Sequence, residues 1–312
     1  MKNLILWGSL LIAIIGVLAY TNSNSSNTPV VKVEETDPIA TQETSSEFNQ
    51  YWYAGDAEIT SYELEQARYG EMHSGKAVLI FVTEPFSRDK QVKTDNPGKT
   101  DVSVMKLNFT KNFNTGIYPY SMMNSSFVPV KEKNGHALKI TSSSQDWCGH
   151  TYTQLNDRNG KFEIESHSYF EGEGDESFTL SKTILEDELW TRIRLNPEDL
   201  PVGAQEVIPS FFHLRLLHQA LKPYSVRIEK KSLADNQTAY ILKYPDLNRQ
   251  LKIVYNNTFP YEITGWEETF TSGWGASAKT LTTKATKIKT IKTDYWTKHN
   301  NEDLPLRDEL GL

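Results

Sequence analysis

Apolar residues in this 312-residue chain follow two regimes. Residues 4–20, LILWGSLLIAIIGVLAY, run without a charge shortly after Lys2. Beyond residue 50, apolar positions come instead in short bursts of β-branched and aromatic residues broken by Gly, Asn and Pro. These bursts predict strands of an antiparallel meander: KAVLIFVTE, DVSVMKLNFTKNF, HALKITSS, KFEIESHSYF, YSVRIEKKSL, TAYILKY and RQLKIVYNN. One helix interrupts them. In KTILEDELWTRIRL, residues 182–195, Ile184, Leu185, Leu189 and Ile193 keep helical spacing, and Thr183 with Glu186 has the form of a capping box. Asn196-Pro197 ends that run. With no βαβ alternation and no internal repeat, the expected fold is mainly β (α+β): an antiparallel curved sheet or sheets with one central helix.

The same patterning divides the chain. Residues 1–20 read as a signal peptide or N-terminal membrane anchor, with Val17 and Ala19 matching the small-residue pattern before a cleavage point. A run of this length sits at the lower limit for spanning a bilayer, and no cysteine follows it to take a lipid. Residues 21–48 are mostly Ser, Thr, Asn and Glu, too poor in large apolar groups to offset the entropy of ordering, and are expected to be a disordered tether. Residues 49–312 are expected to form the β-rich domain, as one sheet or as two β lobes joined by helix 182–195. The protein is therefore expected to be exported to the periplasm or cell envelope, touching membrane only through residues 4–20 if they stay uncleaved.

Charge and cysteine content narrow the functional classes. A net charge of −7 argues against general affinity for nucleic acid, which rests on clustered Lys and Arg neutralising phosphates. The single cysteine permits no intrachain disulfide. It does lie close to chemistry, in SQDWCGHTYTQL. That segment is followed by NDRNG and KFEIESHSYF, which together predict a hairpin turning at Asn159-Gly160. Burial selects the register that puts Leu155 beside Phe162 and Ile164, so Cys148, His150 and Tyr152 share the opposite face with Glu165, His167, Tyr169 and Glu171. Cys148, His150, Glu165 and His167 are the candidate catalytic residues, a thiol beside imidazoles and a carboxylate. His150, His167 and Glu171 are the candidate metal ligands. The competing reading is a polar sheet face on which these groups only hydrogen-bond to neighbours.

Other motifs read more plainly. EGEGDE alternates acids with glycine as a calcium loop does, but the twelfth position counted from Glu171 is Lys182, where such a loop needs a carboxylate. Five lysines between 279 and 292 suit an edge strand guarded against sheet-to-sheet pairing, or an anion-binding strip. Trp266 and Trp274 near glycines suit a core around a tight turn, or an exposed platform.

The runs YWYAGDAEITSYELEQARYGE, QDWCGHTYTQLN, SHSYFEGEGD, LPVGAQEVIPSF and GWGASAKTLTTKATKIKTIK resemble a family of bacterial envelope proteins that goes under the label septum formation inhibitor Maf. The resemblance implies an envelope protein of this architecture and covers nearly all of the chain after the tether. Maf pyrophosphatases carry a Ser-x-Ser-Pro-Arg-Arg motif. This chain has no Ser-Pro-Arg and no Arg-Arg pair, so no Maf catalytic residue is carried over. The functional expectation is a non-enzymatic binding, carrier or assembly protein, similar in architecture to carriers such as LolA and LolB. Its partner would be a lipid, another hydrophobic ligand or an envelope protein, and no cofactor is called for. The alternative is a hydrolase or metalloenzyme using the Cys148, His150 and His167 face.

Overall fold

The computed structural model describes residues 41–133 and 135–312. The apolar run and most of the tether lie outside the described residues. Order begins earlier than residue 49, however: Thr41 bridges Glu132, and helix α1 covers Ser46–Trp52. Its first turn is capped by Ser45, whose side chain accepts from the Phe48 amide at 3.0 Å, and it buries Phe48 and Trp52 one turn apart on a single face.

Strands follow in a long meander. They are β1 (Ala57–Arg68), β2 (Glu71–Ser87), β3 (Val92–Lys93), β4 (Val102–Thr115), β5 (Tyr118–Pro129), β6 (Lys139–Asp146), β7 (Gly149–Arg158), β8 (Lys161–Ser168), β9 (Glu176–Ser181) and β10 (Ile184–Leu185). After helix α2 (Glu186–Leu195) come β11 (Gly203–Ile208), helix α3 (Phe211–Leu217), β12 (Tyr224–Ser232), β13 (Gln237–Tyr244), β14 (Arg249–Asn256), β15 (Ile263–Ser272), β16 (Lys279–Thr293) and helix α4 (Pro305–Glu309). The molecule is mainly β, as expected: all these strands join one large, curved, unclosed and mostly antiparallel sheet.

The ladder runs from β10 through β11 to β16, then to β1, β2 and β4 through β9, with β3 appended to β2. The first and last long strands therefore pair with each other in the middle of the sheet, and the edges are β9 and β10, separated by only Lys182 and Thr183. The pairing of β16 with β1 makes the two halves one sheet; helix 182–195 does not join separate lobes. It also corrects the reading of the lysine strand as an edge, because β16 has a ladder on both sides. Its lysines instead face acids: Lys284 lies across from Glu65 and Glu267, and Lys287 bonds Glu262 at 2.5 Å. Such cross-strand pairs favour one register.

The helix expected over 182–195 starts at Glu186. Ile184 and Leu185 are taken by a short parallel pairing with Val207 and Ile208, and the Thr183 hydroxyl donates to the Glu206 carbonyl at 2.6 Å rather than capping a helix. The cap is Leu185, whose amide donates to the Glu188 carboxylate at 3.4 Å. Asn196 stops the helix as expected, its side chain accepting from the Glu198 amide at 3.2 Å. It is not alone: α1, α3 and α4 are also helical, though short.

Helix α2 touches strands far apart in the ladder, which shows how the sheet curves around it. Leu189 and Ile193 are fully buried, and the Trp190 ring lies 5.2 Å from both Phe109 on β4 and Trp266 on β15. Trp266 is thus core, whereas Trp274 stands exposed in the β15–β16 turn with its ring 5.5 Å from Tyr69.

The helix also carries three consecutive buried acids, and each has a partner. Glu186 meets Arg249 and the Tyr244 hydroxyl, which donates at 2.7 Å. Asp187 accepts from the Asn124 amide at 2.9 Å and the Phe211 backbone at 3.0 Å. Glu188 accepts from the Ala137 backbone at 2.7 Å and pairs with His136 at 3.0 Å. Acids in a first helical turn also complement the helix dipole. At the other end, Arg194 forks onto Glu58 of β1.

Asp187 makes this interior pH-sensitive. Burial pushes its carboxyl up to about 6, hydrogen bonds to it offsetting only part of the effect. A carboxyl raised in the fold contributes stability that is present below its unfolded value of ~3.9 and is lost as pH rises through the folded one. Asp187→Asn removes that loss. Relative to wild type, the variant is expected to gain on the order of 2 kcal/mol between about pH 4 and about pH 7. Urea melts at the two pH values check this, and an equal difference at both would exclude the assignment.

Candidate functional site

The hairpin forms in the register the sequence calls for. Asn159 and Gly160 take positive φ values of 53° and 73°, Arg158 pairs with Lys161, and Leu155 faces Ile164. Tyr152 lies across from His167 and Gln154 across from Glu165, all on the face turned away from α2. Cys148 departs from the expectation. It sits with Trp147 in the two-residue turn between β6 and β7, exposed, its amide donating to Asp146 at 2.6 Å. A side chain in a turn does not follow the alternation of the strand, so Cys148 does not share a strand face with His150.

His150 pairs across the ladder with Gln145, and His167 meets Asp175 at 3.4 Å while more than half exposed. Glu171 lies in the exposed turn after β8. Among the described residues no hydrogen bond joins Cys148 to a histidine, and no group of three or more His, Cys, Asp or Glu side chains is placed to hold a metal ion. The pocket near these strands, about 360 Å³, opens on their other face, lined by Thr151, Thr153, Ser166 and Ser168 beneath Arg215 and His218. Since an activated thiol needs a neighbour that favours its thiolate, His150→Ala is expected to leave the rate of iodoacetamide labelling at Cys148 unchanged from about pH 6 to about pH 8.5. Rapid labelling near pH 6 that the substitution abolishes would mark a catalytic pair.

The more developed cavity lies elsewhere, and it begins in the sequence of β2. Residues 77–82, AVLIFV, are apolar on both faces. Ala77, Leu79 and Phe81 are buried in the core around α2, which leaves Val78 and Ile80 pointing out of the convex side. Ladder pairing sets Ile80 across from Ile59 of β1, and Ile59 across from Ile291 of β16, so three adjacent strands share one outward apolar patch. Leaving it in water would be costly at about 25 cal/mol per Å².

The chain after β16 returns to cover it. Two 3-10 turns, Tyr295–Thr297 and Asn301–Asp303, lead into α4, which starts on Pro305. Leu310 is then 5% exposed against Ile59 and Val78, and the Ser61 hydroxyl donates to its carbonyl at 2.5 Å. Coverage is partial. Between this segment and the sheet a cavity of about 700 Å³ remains, floored by Ile59, Val78, Ile80 and Ile291, with Leu306 lining it from the covering segment and Thr110, Asn112 and Ser121 along its far wall. Its size falls in the ~300–1,000 Å³ range of small-molecule sites.

Three cations line this cavity, Lys76, Lys298 and Arg307, against one carboxylate, Asp303. Lys76 is bonded to Glu63 at 2.7 Å and Lys298 lies 3.6 Å from Asp294. The Arg307 guanidinium is exposed and makes neither hydrogen bond nor ion pair among the described residues. None of these residues figures among the sequence candidates. The available signal is the run 77–82: a strand apolar on both faces needs a cover on each side.

Fold and cavity together define a class, a mainly β protein with a single open sheet packed around a helix and an apolar pocket on its convex side. Comparison with protein-family models, curated proteins and solved structures finds no match.

Proposed function

We propose that the protein is a non-enzymatic binding protein of the cell envelope that holds a hydrophobic ligand on the convex face of its sheet. The cavity of about 700 Å³, with its lining of isoleucine, valine and leucine, supports this reading. The concave side, which a hollow carrier would use, is filled by α2 and its aromatic neighbours. Export follows from the charge-free run after Lys2. Among the described residues no helix is long and apolar enough to cross a membrane; in this reading residues 4–20 meet the bilayer if they stay uncleaved.

An environment-sensitive naphthalene dye is expected to brighten on the purified full chain. Ile80→Trp, which fills the cavity floor, is expected to abolish the signal while leaving the circular dichroism unchanged. A dye signal that survives Ile80→Trp, or none at all, overturns the reading.

A further inference from the structure

We infer that the ligand is a single-chain amphiphile with an anionic head group, its hydrocarbon on the Ile59, Val78, Ile80 and Ile291 floor and its head at Arg307; this rests on the pocket reading above. The cavity divides by chemistry. Its floor offers no hydrogen bond, so it accepts only hydrocarbon, and a polar group sunk there would lose its water without compensation. The polar atoms sit at the mouth and along one wall, where Thr110, Asn112 and Ser121 carry hydroxyl and amide groups. A ligand that satisfies both zones has one apolar tail and one polar end.

Charge decides the sign of that end. Among the residues lining the cavity, three side chains are cations, Lys76, Lys298 and Arg307, and one, Asp303, is a carboxylate. Two of the cations are already engaged, Lys76 by Glu63 at 2.7 Å and Lys298 by Asp294 at 3.6 Å. Arg307 is left over. Asp303, four residues before it, makes no ion pair with it. A guanidinium presents paired donors that match the two oxygens of a carboxylate or phosphate, and it is a weakly hydrated cation that gives up water readily. An ammonium head would instead meet Arg307, unpaired among the described residues, with like charge. Arg307 also sits beside the greasy part of the site, since the neighbouring Leu306 lines the same cavity.

The test is isothermal calorimetry on the purified full chain with four ligands sharing one tail: laurate, lauryl phosphate, lauryl alcohol and laurylamine. Laurate or lauryl phosphate is expected to bind about tenfold or more tightly than the alcohol, as one charge-assisted hydrogen-bonded contact provides. Whichever oxyanion is the tighter identifies the head-group source. Arg307→Gln is expected to remove that preference while leaving the alcohol's affinity in place, a pattern that loss of folding cannot produce. Raising the salt concentration is expected to weaken the oxyanions and spare the alcohol. If all four bind alike and Arg307→Gln changes nothing, the head-group inference fails while the hydrophobic pocket stands. Tightest binding of laurylamine overturns the inference in the same way. If none binds, both readings fail.

Discussion

Arg249→Leu is expected to destabilise the protein by about 3–5 kcal/mol, the range found when one partner of a buried ion pair is removed. Arg249 is 1% exposed and holds two acids at once, Glu186 through Nη2 at 2.6 Å and Glu268 through Nε at 2.7 Å. Burial by itself would raise the Glu268 carboxyl, but Arg249 and then His213 hold it well below the usual carboxylate range. A carboxyl lowered in the fold contributes stability that is present above its unfolded value of ~4.3 and is lost as pH falls. Without the guanidinium that contribution disappears and two acids stay buried. The deficit of the variant is therefore expected to be largest near neutral pH and to shrink toward about pH 4. Guanidinium unfolding with an unchanged slope measures it, and a deficit under about 1 kcal/mol that ignores pH would show the pair to be unimportant.

The second large effect is expected on α2. Leu189→Ala leaves a cavity beneath a fully buried side chain and is expected to cost about 2–5 kcal/mol. Leu189→Pro loses the same side chain, and in addition removes a backbone donor in the first full turn and sets its ring against the Leu185 carbonyl, for about 3 kcal/mol more. The difference between the two variants isolates the backbone. If α2 were a dispensable filler, the two would melt alike. The proline variant is instead expected to unfold the sheet with the helix, because α2 is held to β1 by Arg194, to β5 by Asp187 and to β14 by Glu186.

What could be read in the sequence is what depends on neighbours along the chain. Bursts of β-branched and aromatic residues bounded by Gly, Asn and Pro placed β4, β8, β13 and β14, and the Asn159-Gly160 turn with Leu155 and Ile164 decided the hairpin register, because a one-residue slip would have buried Gln154 or Glu165. The 3.6-residue spacing of Leu185, Leu189 and Ile193 placed α2, and Asn196 its end. Its start was misplaced by four residues because a parallel pairing with Val207 and Ile208, some twenty residues away, competes for Ile184 and Leu185. The strand-face reading of Cys148 failed for a related reason. A two-residue turn claims it, and nothing in WCGH distinguishes such a turn from a continuing strand.

The remaining features belong to the tertiary structure alone. Pairing of β16 with β1 brings together residues more than two hundred positions apart; it gives the lysine strand a second ladder besides β15 and adds Ile291 to the patch that Ile59, Val78 and Ile80 form across the β1–β2 hairpin. Glu186 with Arg249 spans 63 positions. The cavity beneath residues 295–312 exists because that segment happens to fall short of covering the patch. Local pattern determines which side of a strand is apolar, since that follows from the backbone's own period. It does not determine what covers that side, since the free energy of burial is the same for any apolar partner and the choice is made by the path of the whole chain.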